Sequence, residues 1–232
     1  MSEQVYLDAL TAVYLVRPLN AVLDADQAAN PNLQLRTSAS GRALIEAFEG
    51  CDRPIRNQPG QFTTYYDEVG VLTIGYGHTN LGNVLPHIQQ GDVWSQAQCD
   101  VALSNDLARF EADVARLFPH TQLNQNQFDC MVSFDFNTGD LARSSIPARI
   151  IAGQISAAMA TLLQYCHAGG QVLTGLVRRR RAERLMFLGD VQTALVLAQA
   201  SLAAGAPMAK ATCAPGGETA PLGYVSNTAE DY

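Results

Sequence analysis

The chain has 232 residues, 47% hydrophobic and 16% charged, enough for one substantial core or two small lobes and too apolar for disorder throughout. Its formal net charge is -7, from 15 Lys+Arg against 22 Asp+Glu; segments 1–36 and 205–232 carry -2 each, leaving -3 for the middle. That balance argues against nucleic acid as a partner, because counterion release rewards dense Lys and Arg.

Residues 5–24 read as one helix, interrupted or ended near Pro18. Glu3 and Asp8 precede its apolar run, where a signal peptide needs positive charge, and Arg17 closes that run early. A membrane span needs about 20 apolar residues, so no stable insertion is expected. An amphipathic helix packed on the domain or on a partner is the reading. Residues 25–37, rich in Asn and Gln with Pro31, read as a linker.

Ser38 or Ser40 can cap a helix running to Phe48, with Leu44, Ile45, Ala47 and Phe48 on its apolar side and Gly50 as terminator. Glu49 falls in the last turn, where the helix dipole disfavours a negative charge. That is a useful environment for a proton donor. Residues 51–61 contain Pro54, Pro59 and Gly60 and read as an irregular loop. Strands follow over Phe62–Tyr66 and Val71–Tyr76, with Glu68-Val69-Gly70 as the turn. Alternation puts Val71, Thr73 and Gly75 on one side of the second strand and Leu72, Ile74 and Tyr76 on the other.

Beyond this the pattern is helical. Ser95 caps a helix ended by Pro119, Asn124 caps Gln125–Phe136, and Ser145 caps a short helix from Ile146 with Pro147 in its first turn. Further helices are expected over Ile155–Tyr165, Thr174–Leu188 and Val191–Ala204, then a mobile tail over 205–232. Cys51, Cys99, Cys130, Cys166 and Cys213 are widely spaced, without a C-x-x-C pair, and the four histidines lack metal-ligand spacing. Neither a metal nor a disulfide is expected; Cys51, two residues past Glu49, is the thiol most open to oxidation.

Phe48-Glu49-Gly50 and the run from Asp67 to Thr79 (DEVGVLTIGYGHT) resemble the catalytic segment of phage-type lysozymes, glycoside hydrolase family 24. Gln125–Asp129, Phe134–Gly139, Ser144-Ser145, His167–Gly170 and Gly175–Arg180 add weaker similarity in the same order, over about residues 38–189. The resemblance implies an α+β, mainly α, two-lobed lysozyme-like fold with a small antiparallel sheet in one lobe and helices in the other. It divides the chain into an N-terminal helix and linker (1–37), a catalytic domain (38–189), and a C-terminal helix with mobile tail (190–232). It implies a muramidase cutting the β-1,4 bond between N-acetylmuramic acid and N-acetylglucosamine in peptidoglycan, with inversion. Glu49 would be the general acid, Asp67 the carboxylate that stabilises the oxocarbenium-like state and helps activate water, and Thr73 the residue holding that water. No cofactor is implied. Such an enzyme is expected to be a monomer, made in the host cytoplasm and acting on the cell wall after release or delivery.

The family usually places the Asp nine residues after the Glu; here the separation is eighteen, while the Asp-to-Thr gap of six is unchanged. The extra nine residues belong to the Cys51–Gln61 loop, at the mouth of the expected cleft. Asp52 is a rival second carboxylate, but nothing like the signature follows it. His78, Phe136, Asn137 and Ser145 are candidate substrate contacts. Each also has a structural reading: a hydrogen-bonded histidine, two residues packing the lobes, and a helix cap. Arg178–Arg181 sweep most of a helix circumference at about 100° each, so at least one points inward and needs an acid; the family resemblance implies Glu49 as a candidate partner. A lytic transglycosylase and a catalytically inactive wall-binding or virion module are the alternative functions.

Overall fold

The computed structural model describes residues 30–51, 53–67 and 69–200. The N-terminal helix expected over 5–24, the tail over 205–232, Asp52, Glu68 and Cys213 lie outside the described residues.

Helix α1 (Ala39–Glu49) starts at Ser38, whose side chain accepts the Gly41 amide, and buries Leu44, Ile45, Ala47 and Phe48. Of the two candidate caps, Ser38 is the one used. It is itself gripped by Asp129, whose carboxylate accepts the Ser38 amide at 2.9 Å, the Ser38 hydroxyl, and Gln125 Nε2 at 2.9 Å. A Cβ on Gly41 would lie 2.6 Å from Asp129 Cγ, so only glycine lets the two helices approach this closely.

The β-lobe holds β1 (Gln61–Thr63), β2 (Tyr65–Tyr66), β3 (Leu72–Ile74), β4 (His78–Thr79) and β5 (Val93–Ser95). The expected strand 62–66 divides at Thr64. Its first half pairs with β5, Phe62 opposite Trp94, while its second half pairs with β3 in a β2-β3-β4 sheet. The division lets one short segment serve two small antiparallel sheets. Phe62, Ile74, Ile88, Trp94, Cys99 and Ala102 form the core of this lobe. Gly75, at φ +61, sits where a Cβ would meet Cys99 Sγ at 2.9 Å.

Helix α2 (Gln96–Leu117), opened by a Ser95/Gln98 capping box, joins this lobe to the second. Helix α3 (Gln125–Thr138) carries an Asn124/Gln127 capping box, ends at left-handed Gly139, and is buried at every position from Phe128 to Asp135. A helix apolar on so many sides belongs at the centre of a domain. Around it pack α1, α2 and α6 (Thr174–Phe187). A 3-10 turn (Leu141–Arg143), α4 (Ile146–Ile151) and α5 (Ile155–Leu163) follow α3. A hairpin of β6 (His167–Ala168) and β7 (Gln171–Val172), absent from the sequence reading, precedes α6.

The packed unit reaches past residues 38 and 189. Helix α7 (Val191–Gln199) lies on α6 and α1, with Ala194 and Ala198 fully buried. Upstream, buried Asn32 donates to the carbonyls of Phe118 (2.7 Å) and Thr121 (2.8 Å) and accepts the Leu123 amide. Residues 30–37 are thus fastened to the helical lobe. The architecture is α+β and mainly helical.

Candidate active site

Glu49 is the last residue of α1, where Gly50 turns the chain away at φ +66. Its side chain is 8% exposed, and Oε1 accepts from Arg179 Nη1 at 2.6 Å. Arg179, fully buried on α6, also donates through Nε to Glu183 Oε1 (3.2 Å) and through Nη2 to the Ser133 carbonyl (3.3 Å). Glu183 accepts in addition the Ser133 hydroxyl (2.8 Å) and Arg180 Nη2 (3.1 Å). Arg180 Nη2 reaches Asn137 Oδ1 at 2.7 Å. Two guanidiniums and two carboxylates thus share one interior network under the end of α1. Burial works against the charge on Arg179, but Glu49 and Glu183 outweigh it and raise its pKa.

The arginine run fans out as helical geometry requires: Arg179 and Arg180 point inward and Arg181 is exposed. Arg179 is the one that meets Glu49. Their shared partner was legible as spacing, since Glu183 stands four residues after Arg179 and three after Arg180.

Asp67 and Thr73 are positioned by a different kind of bonding. The register Tyr65↔Thr73 and Tyr66↔Leu72 continues to Asp67, whose amide donates to Val71 O at 3.0 Å. Asp67 Oδ1 accepts the amides of Val69 (3.0 Å) and Val71 (2.8 Å), so the carboxylate closes its own turn. Directly opposed residues share a sheet face. Tyr65, Asp67, Val71 and Thr73 therefore line one side of the hairpin, while Ile74 enters the lobe core. Thr73 is 3% exposed and its hydroxyl donates to Val71 O at 3.0 Å. The proton of that hydroxyl is committed, and its oxygen still has acceptor capacity.

The four candidate substrate contacts separate. His78 is 2% exposed, with Nδ1 2.9 Å from Asp106 Oδ2 and Nε2 2.7 Å from Pro86 O. Both ring nitrogens are engaged inside the protein, so the substrate-contact reading gives way to the structural one. Two acceptors around one ring call for the imidazolium. Burial pulls its pKa down, but the bonds to Asp106 and Pro86 and the Asp106 charge prevail and raise it. Ser145 is exposed and makes no cap bond; its Oγ accepts Arg149 Nε at 3.1 Å, while Ser144 Oγ takes the Ile146 amide at 3.2 Å. Ser145 holds the cap position without a side-chain cap bond, and Ser144 supplies the hydroxyl beside it. Phe136 packs edge-on against Phe110, ring centroids 5.2 Å apart, and is half-buried. Asn137 joins the network below Glu49 through Arg180. The Cys99 thiol is hydrogen-bonded to Cys51, which lowers its pKa. Among the described residues no group of His, Cys, Asp and Glu is arranged to hold a metal ion.

The model of the phage lysozyme family matches residues 48–183, more than half of the chain. The chain belongs to the phage lysozyme family. The endolysin of Lactococcus phage c2 is 35% identical over 154 residues, covering 66% of this chain and 60% of that protein. The endolysin of Bacillus phage B103 is 32% identical over 157 residues, covering 66% and 54%. The chain therefore spans somewhat over half the length of these curated relatives. Among solved structures, the muramidase domain of SpmX from Asticaccaulis excentricus is 30% identical, with TM-score 0.56 over 67% of this chain and 99% of that one. A mutant P22 lysozyme is 29% identical, with TM-score 0.57 and the same two coverages. The family match includes Glu49, Asp67, Thr73 and the arginine run within one continuous stretch.

Proposed function

We propose that this chain is a muramidase that hydrolyses the β-1,4 bond between N-acetylmuramic acid and N-acetylglucosamine in bacterial peptidoglycan, with inversion at the anomeric carbon. The observation that carries the reading is the shared face of Asp67 and Thr73 on one hairpin, with one Asp67 oxygen and the Thr73 proton already committed. A water seated there can give one proton to the Asp67 carboxylate and a hydrogen bond to the Thr73 oxygen. That leaves its lone pair directed at the sugar. Glu49 supplies the opposite requirement, a proton for the leaving oxygen, from a carboxyl whose orientation Arg179 fixes. Acid and water on opposite faces of the ring describe the inverting geometry of glycosidases.

The protein works as a monomer on glycan strands and needs no cofactor in this scheme. Among the described residues no helix is long and apolar enough to cross a membrane; the chain reaches the cell wall after release or delivery from the host cytoplasm.

The test is clearing of purified peptidoglycan by the full chain and by Glu49→Gln. Loss of about 10²–10⁴-fold in rate is expected for the variant, with an unchanged circular dichroism spectrum. Equal clearing by both proteins would remove Glu49 from its role. Fragments ending in a reducing N-acetylmuramic acid are expected by mass spectrometry. Anhydro-sugar ends would instead make the chain a transglycosylase, and absence of clearing by wild type would make it a binding module.

A further inference from the structure

From Arg53 onward the extra loop is held by bonds of its own. Pro54 bridges to Phe62, Ile55 donates to Gln61 O at 2.9 Å, and Gln96 at the start of α2 donates to Gly60 O at 3.0 Å. Thr63 donates to Arg53 O at 3.2 Å, holding Arg53 at φ +61, a conformation unfavourable for a residue with a Cβ. Strain of this kind persists where the surroundings over-determine it, commonly at ligand sites. Its effect here is to lay the guanidinium over the Tyr65 ring, Arg53 Cζ to centroid 5.5 Å, while the residue stays exposed.

Tyr65 is the register partner of Thr73, and their side chains share the face that carries Asp67. The stacked guanidinium therefore stands on the margin of that face, on the order of 10–15 Å from Thr73 once the cross-strand spacing, the length of the tyrosine side chain and the distance to its ring are combined. Arg53 and Arg56, both in this loop, are also the only Lys or Arg residues between positions 51 and 95. Within residues 51–95 the permanent positive charge thus comes from this loop alone.

We infer that Arg53 forms a subsite for a carboxylate of the peptide stem borne by the N-acetylmuramic acid at the cleavage point. The inference rests on the muramidase reading and deepens it. A guanidinium stacked on an aromatic ring keeps its N–H edge free for bidentate pairing with a carboxylate. Two to four extended stem residues reach about 7–14 Å from the sugar, which overlaps the gap from Thr73 to Arg53. The stem carries the free carboxylates of peptidoglycan, and the glycan backbone carries none. Arg53 is a specificity-determining residue in this scheme, with no part in bond cleavage.

The experiment compares the full chain with Arg53→Gln and Arg53→Lys on intact peptidoglycan and on the same material with its stem carboxylates converted to amides. On intact material Arg53→Gln raises KM about tenfold, the scale of one charge-assisted hydrogen bond, with kcat unchanged and Arg53→Lys intermediate. On the amidated material all three proteins behave alike. Amidating the stem carboxylates lowers wild type to the level of Arg53→Gln. Equal losses on both substrates would make Arg53 a structural support and overturn the subsite, as would no loss on either. Wild type inactive on both would overturn the enzymatic reading and the subsite with it; an active wild type indistinguishable from Arg53→Gln would overturn the subsite alone.

Discussion

The two carboxylates proposed for catalysis stand in opposite settings. Glu49 ends a helix and is fixed by side chains from α6, 130 residues away, in a charged interior network. Asp67 is fixed by amides two and four residues ahead of it, on a half-exposed turn. The first position is maintained by tertiary packing and the second by local backbone geometry. Damage should therefore propagate differently from each. Disturbing the Glu49 side should unsettle the whole helical lobe, whereas disturbing Asp67 should remain confined to its turn.

Arg179→Ala is the harshest test of that contrast. It leaves Glu49 and Glu183 short of a buried counter-charge, and loss of one partner in such a pair costs about 3–5 kcal/mol. Chemical denaturation should show a loss of that size; a loss under 1 kcal/mol would mean that the network contributes little. Gly41→Ala strikes the other end of the same helix by forcing a methyl against Asp129. Overpacking of this kind costs about 1–3 kcal/mol, visible as a lowered melting temperature with α1 displaced. Asp67→Ala should abolish clearing yet cost only about 1 kcal/mol of stability, the net value of a hydrogen bond or two. A melt as depressed as that of Arg179→Ala would erase the distinction between the two settings.

The smallest effect is a pH dependence from His78, which ties β4 to α2 and to the Pro86 loop. Despite burial, its folded pKa is raised above that of an ordinary histidine by its bonds to Asp106 and Pro86, so the folded state binds the proton more tightly than the unfolded chain. The associated stability is complete below the unfolded pKa and declines as pH rises through the folded one. Besides Asp106 and the Pro86 carbonyl, the ring faces Cys99 and Trp94. Melting temperature followed from pH 6 upward should fall more for wild type than for His78→Gln, with parallel curves counting against this role.

What the sequence disclosed follows the same local-versus-distant line. The Asn124/Gln127 and Ser95/Gln98 boxes are complete within four residues, and both helices begin where those signals stand. The turn after Asp67 and the side of the strand that carries Thr73 also follow from local pattern, while the face Asp67 shares with Thr73 needed the hairpin register. The β6-β7 hairpin escaped because its strands are two residues long; its one signal was Gly169-Gly170, both at positive φ. His78 misled because its burial comes from Asp106 on α2 and Trp94 on β5, elements that adjacent residues do not specify. That an arginine of the run turned inward was clear from helical phase, but choosing Arg179 required the angle at which α6 meets α1.

Helix α7 has a practical consequence. It buries Ala194 and Ala198 and packs on the helix that ends in Glu49, yet it falls outside the stretch that matches the family. A fragment cut to residues 48–183 would discard this backing, along with the first nine residues of α1 and the Asn32 clasp. Shortening of this protein for expression or fusion should therefore stop outside residues 30 and 200.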